Sequence, residues 1–104
     1  MSAAEAKPSA QVLRALDMLE TLSGHVVDGL TNKDLAAALN CPPSYVTRTA
    51  EVLIQKGFVE KHEGTGRFRI TTRFSRLTFR VLDSFERAKA ELANRQHNYT
   101  LTQR

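Results

Sequence analysis

Five arginines, Arg67, Arg69, Arg73, Arg76 and Arg80, follow one another without an acidic residue between them. A guanidinium is a permanently charged, planar fork of donors whose geometry matches the oxygens of a phosphate. A run of such groups is the electrostatic footprint of a polyanion binder. The charge balance agrees: 15 Lys and Arg stand against 11 Asp and Glu, a net +4, and the pI is about 9.6. The excess is central. Cys41 to Leu82 holds eight basic and three acidic residues, whereas Met1 to Asn40 holds three basic and five acidic. A solvated basic face is the plainer reading of the same numbers.

The other reactive side chains form no catalytic or metal-binding pattern. One cysteine, Cys41, excludes an internal disulfide framework and a Cys-based zinc cluster. Beside Pro42 and Pro43 it reads as a small filler rather than a redox sensor. His25, His62 and His97 are scattered along the chain. Gly64-Thr65-Gly66 lacks the Lys-Ser/Thr pair and the following helix of a phosphate loop. With no clustered His, Asp and Ser, neither an enzyme nor a metal or cofactor is expected. No apolar run approaches the roughly 20 residues of a membrane helix. The start of the chain, interrupted by Glu5, lacks an apolar signal core. A cytoplasmic protein that makes no membrane contact is expected. At 104 residues there is room for one compact domain.

Those charged groups need elements to hold them. Residues 1–8 are small and polar and read as a flexible terminus. Ser9 can cap a helix in which Val12, Leu13, Leu16 and Leu19 form an apolar stripe, stopped by Gly24. His25 to Leu30 is a short connection with a turn at Gly29. Thr31 and Asp34 resemble a capping box, and Leu35, Ala36 and Leu39 line one side of the short helix behind it. Asn40-Cys41-Pro42-Pro43 ends that helix, and a proline here suits only the first turn of the next. That next helix spans 43–56, with Val46, Ala50 and Leu53 inward and Gly57 at the left-handed position past its end. Ser44, Thr47, Arg48, Glu51 and Gln55 point away from its apolar stripe, with Tyr45 at the edge. Two short alternating runs, Phe58 to Glu63 and Arg67 to Thr71, flank Gly64-Thr65-Gly66 as a β-hairpin. Phe58, Phe68, Phe74 and Phe79 read as core residues. From Arg73 a longer helix carries Phe74, Leu77, Val81, Phe85, Ala88 and Leu92 at a period near 3.5. Residues 97–104 are polar and read as a flexible tail.

The resulting fold class is mainly α with a small β-hairpin: a winged helix-turn-helix over 9–72 followed by a long C-terminal helix over 73–96. The stretches Val12–Glu20, Gly29–Ala36, Pro42–Arg48, Leu53–Glu60 and Gly66–Ile70 together resemble the N-terminal DNA-binding domain of IclR-type transcriptional regulators. The resemblance covers Ser9 to about Thr71. Members usually continue into a larger ligand-sensing domain. A stand-alone module with no small-molecule effector is expected here, similar to small regulators of phages and other mobile elements. The double proline in the turn and Thr49-Ala50 in the second helix depart from the pattern.

The resemblance implies that helix 43–56 enters the major groove of double-stranded DNA, which is about 12 Å wide and admits one helix. Arg48 is the expected base reader, because a guanidinium can pair bidentately with guanine; pairing with Glu51 is its alternative. Tyr45 is expected on a thymine methyl or a phosphate, or else in the core. Ser44 and Thr47 suit phosphates. On the wing, 58–71, Arg67 and Arg69 are expected on the flanking backbone or the minor groove, assisted by Lys61 and by Arg73 where the last helix begins.

The helical seam of Leu77, Val81, Phe85, Ala88 and Leu92 is longer than so small a core needs. It predicts a homodimer, with folding back onto the first helix as the alternative. The leading function is a sequence-specific DNA-binding transcriptional regulator without catalysis. A low-specificity architectural DNA-binding protein and a protein-interaction winged helix are the competing classes, separated by the specificity ratio and by the presence of salt-dependent DNA binding.

Overall fold

The computed structural model describes residues 8–102. The elements run α1 (Ala10–Ser23), α2 (Asn32–Leu39), α3 (Pro43–Gln55), β1 (Val59–Lys61), β2 (Phe68–Ile70) and α4 (Arg73–Thr102). The chain divides into two compact units, one ending at Arg73 and the other starting at Phe74.

In the first unit, local chemistry sets the helix limits. Ser9 Oγ accepts from the Val12 amide at 3.3 Å and starts α1. Thr31 and Asp34 form a full capping box on α2: the Asp34 amide donates to Thr31 Oγ1 at 3.1 Å, and the Thr31 amide donates to Asp34 Oδ2 at 3.1 Å. Asn40 ends α2 in the left-handed region at φ 52°, where Asn is one of the few tolerated side chains. Pro43 opens α3 at its first position, where the missing N–H would have had no partner. Gly57 takes φ 82° just beyond it.

The three helices and the hairpin share one core: Met18 and Leu22 of α1, Leu35 and Ala36 of α2, Val46, Ala50 and Leu53 of α3, with Val59 and Phe68 from the strands. The expected inward faces of α2 and α3 are the observed ones. The stripe expected on α1 is not. Val12, Leu13 and Leu16 are exposed, and the buried side is Met18 and Leu22 with Ala15 and Leu19 packed beside them. Both sets have helical spacing, and Val12 and Leu16 lie about a quarter turn round from the buried set. Phe68 is in the core as expected, Phe58 and Phe74 are half-buried, and Phe79 is exposed.

Strands β1 and β2 are antiparallel, pairing Val59 with Ile70, Glu60 with Arg69 and Lys61 with Phe68. The expected hairpin is present but shorter than the alternating runs. A third segment joins it. Leu30 bridges Phe68 through two hydrogen bonds, Leu30 N to Phe68 O at 3.0 Å and Phe68 N to Leu30 O at 2.8 Å. The connection between α1 and α2 is therefore part of the sheet.

The second unit is α4 from its second residue onward; the whole helix has 30 residues, a rod of about 45 Å. It continues through 97–102, where the sequence predicts a polar tail; 103–104 lie outside the described residues, as does the N-terminal stretch up to Lys7. Ion pairs one turn apart support it: Asp83 with Arg87 at 3.1 Å, Glu86 with Lys89 at 3.1 Å and Glu91 with Arg95 at 2.8 Å. Its apolar side chains Leu77, Val81, Phe85 and Leu92 are exposed, as are Phe79 and Leu82. No helix of the described residues is long and apolar enough to cross a membrane.

The capping box makes one pH-dependent contribution. Hydrogen bonds from the Thr31 amide and then its hydroxyl hold the Asp34 carboxyl below its ordinary value of 3.8. A depressed folded value means that the stabilisation is complete above that pH and is lost as pH falls through the folded value. Thr31→Ala is expected to cost about 1 kcal/mol in urea unfolding at neutral pH. Asp34→Asn should lower Tm at pH 7, and its deficit relative to wild type should shrink below pH 3.8.

Candidate nucleic-acid interface

The geometry of the helix pair rests on Asn32, a residue that the sequence reading did not single out. Its Nδ2 donates to Thr47 Oγ1 at 2.9 Å and to the Pro43 carbonyl at 3.2 Å. The Thr47 hydroxyl in turn donates to the same carbonyl at 3.2 Å. One side chain from the start of α2 thus reaches the Pro43 carbonyl and the Thr47 hydroxyl in the first turns of α3 and ties the two helices together. Thr47, expected on a phosphate, spends its hydroxyl on this junction. Nothing in the local sequence distinguishes Asn32 from an ordinary surface residue, because its partners lie 11 and 15 positions away.

The inner face of α3 is Val46, Thr49, Ala50 and Leu53. The outer face carries Ser44, Arg48, Glu51 and Gln55, all exposed. Tyr45 is 41% exposed, so it is not a core residue. Arg48 turns toward the Tyr45 ring, with Cζ 5.8 Å from its centroid, and makes no ion pair with Glu51. Ser44, Tyr45 and Arg48 therefore stand together on the first two turns, as the sequence places them.

The wing divides its cations. Lys61 is exposed, its Nζ 5.5 Å from the centroid of Phe68. Arg67 Nη1 donates to the Gly29 carbonyl at 3.2 Å, and Arg69 Nη1 to the Val27 carbonyl at 3.2 Å. Arg69 also faces Glu60 at 3.7 Å across the hairpin. Both arginines are half-buried and fasten the loop before α2 to β2, a task not foreseen for them. Arg73 places its guanidinium 5.1 Å from the centroid of Phe58, and its amide donates to Thr71 Oγ1 at 3.2 Å. The wing tip is closed by His62, whose Nδ1 accepts from the Thr65 amide at 3.1 Å. Among the described residues no group of His, Cys, Asp and Glu could hold a metal ion.

A short helix pair, an exposed polar face on its second helix and a cationic hairpin beside it are now in view. The model of the IclR helix-turn-helix domain matches residues 11–63, just over half of the chain. The chain belongs to the IclR helix-turn-helix family. No curated protein matches the sequence. Among solved structures, HmgR of Pseudomonas aeruginosa superposes with a TM-score of 0.65 at 23% identity, over 75% of this chain and 33% of its own. An IclR family transcriptional regulator from Brucella abortus gives 0.64 at 19% identity, over 80% of this chain and 32% of its own. At these identities the likeness is one of fold, and the chain spans about a third of each of these proteins.

In this IclR helix-turn-helix domain the tightest backbone requirement falls at Gly29. It adopts φ 71°, and a Cβ there would strike the Phe68 carbonyl and come within 2.6 Å of Arg69 Cγ. The turn at Gly29 was legible; the approach of β2 was not. Gly29→Ala is expected to destabilise by more than about 2 kcal/mol. Gly24→Ala, where a Cβ meets nothing closer than 3.7 Å in a right-handed conformation, should be neutral or stabilising by up to about 1 kcal/mol. Paired thermal melts check the contrast.

Proposed function

We propose that this chain is a sequence-specific double-stranded DNA-binding transcriptional regulator that acts as a homodimer. The observation that carries the reading is the division of α3. One face is sealed into the core, and the other presents Ser44, Tyr45, Arg48, Glu51 and Gln55 to solvent. Membership of the IclR helix-turn-helix family supports it, as does the likeness to a protein described as a transcriptional regulator.

In this reading α3 lies in the major groove with its N-terminal turns leading. Arg48 takes a base edge, guanine by preference, since a bidentate guanidinium contact is worth about 1–3 kcal/mol of discrimination. Ser44 and Tyr45 approach the phosphates, and Thr47 keeps the helix in position. Lys61 and Arg73 supply phosphate contacts from the wing and the start of α4. Arg67 and Arg69 add positive potential while holding the wing to the loop behind it. No catalytic step is assigned to any residue.

The dimer is assigned to α4. Leu77, Val81, Phe85, Ala88 and Leu92 recur along one stripe and are exposed. An amphipathic helix of this length is stable when that stripe is covered, and a second copy covers it with its own. Two linked modules also raise affinity through effective concentration.

Selection from a random duplex pool, followed by salt titration on the winner and on a scrambled duplex, tests the reading. An inverted repeat with half-sites about one helical turn apart is expected, bound at least about 10³-fold tighter than the scrambled duplex. A steep salt slope without an enriched motif would shift the reading to an architectural role, and no binding to either would leave protein interaction. Arg48→Ala should relax one base position at a loss of about 1–3 kcal/mol. In light scattering, Phe85→Asp should halve the mass; an unchanged mass rejects the dimer stripe.

A further inference from the structure

The ring of Tyr45 is shared by two guanidiniums from different helices. Arg14 of α1 places Cζ 4.7 Å from its centroid, and Arg48 of α3 lies at 5.8 Å. Among the described residues neither arginine has a carboxylate within ion-pair distance. The three side chains, with Ala10, Gln11 and Thr49, line an open hollow of about 240 Å³. Thr49 is 1% exposed, and its hydroxyl has no hydrogen-bond partner among the described residues.

Two like charges on one ring repel each other, and each ring contact returns only about 0.5–1 kcal/mol at an exposed site. An anion in the hollow relieves that repulsion and gains charge-assisted hydrogen bonds from Arg14. Gln11 adds a neutral polar group on the same wall. The hollow is open rather than enclosed, and Arg48 and Tyr45, which line it, also belong to the outer face of α3. Those features fit a phosphate that is part of a long polymer better than a small sequestered anion.

The geometry points to Arg14 as a binding residue for one backbone phosphodiester of the duplex. It lies on α1, outside the α2–α3 pair, and shares the Tyr45 ring with Arg48. The assignment rests on the DNA-binding reading above and adds a contact from α1 to it. It divides the labour around the ring: Arg14 neutralises a phosphate whatever the sequence, while Arg48 remains available to a base.

Salt titrations of wild type, Arg14→Gln and Arg14→Lys on the selected and the scrambled duplex test this. Arg14→Gln should bind both duplexes about tenfold more weakly. Its log–log salt slope should be shallower by about 0.9, the value of one phosphate contact, with the preferred sequence unchanged. Arg14→Lys keeps the charge and should keep the wild-type slope. A wild-type slope in Arg14→Gln, with wild type binding normally, overturns the assignment alone. An equal loss in Arg14→Lys also overturns it, since the arginine would then act by packing on Tyr45. Failure of wild type to bind any duplex overturns the DNA-binding reading and this contact together. Thermal melts of the variants show that each is folded at the temperature of the titration.

Discussion

The pair of hydrogen bonds between Leu30 and Phe68 is what makes the first unit one body. Strands of three residues each cannot sustain a hairpin alone. Docking the loop before α2 against β2 gives the hairpin a third edge and brings Phe68 into contact with the core. That docking requires the backbone at Gly29 to pass close to β2 in a left-handed conformation. Arg67 and Arg69 then donate to carbonyls of the same loop. One local geometry thus ties α1, the start of α2 and the wing into a shared interior.

The electrostatics follow from this arrangement. The acid-free run of arginines, uniform when read along the chain, separates in space into different tasks. Arg67 and Arg69 are spent largely on backbone carbonyls and Glu60. Arg73 covers the face of Phe58 at the end of the sheet. Arg48, outside the run, stands on the exposed face of α3 and leans on an aromatic ring rather than an acid. Arg48 therefore stands on the outer face of α3 without an ion pair among the described residues, while on the wing part of the positive charge is internalised.

What could be read from the sequence was what short-range chemistry determines. Thr31 and Asp34 announce the start of α2, Pro43 that of α3, and Gly57 its end, because each signal and its partner lie within a turn. The inward faces of α2 and α3 followed from helical spacing. On α1 spacing was ambiguous, since Val12 and Leu16 form as good a pattern as Met18 and Leu22, and only tertiary packing selects between them. The Leu30 bridge and the anchors of Arg67 and Arg69 were illegible for another reason. Their acceptors are backbone carbonyls about 40 residues distant, and a carbonyl has no residue identity. Asn32 was missed likewise, and so was the meeting of Arg14 with Tyr45, which joins two helices far apart in the chain.

On α3 the duties of the fold are confined to the inner face, plus Thr47 at its junction with α2. Ser44, Glu51 and Gln55 hold up nothing behind them, and Arg48 supports only a ring that is itself exposed. Such positions can be exchanged with little thermodynamic penalty. The scaffold therefore leaves these few letters open to change: lineages or laboratories could rewrite them while the interior stays untouched.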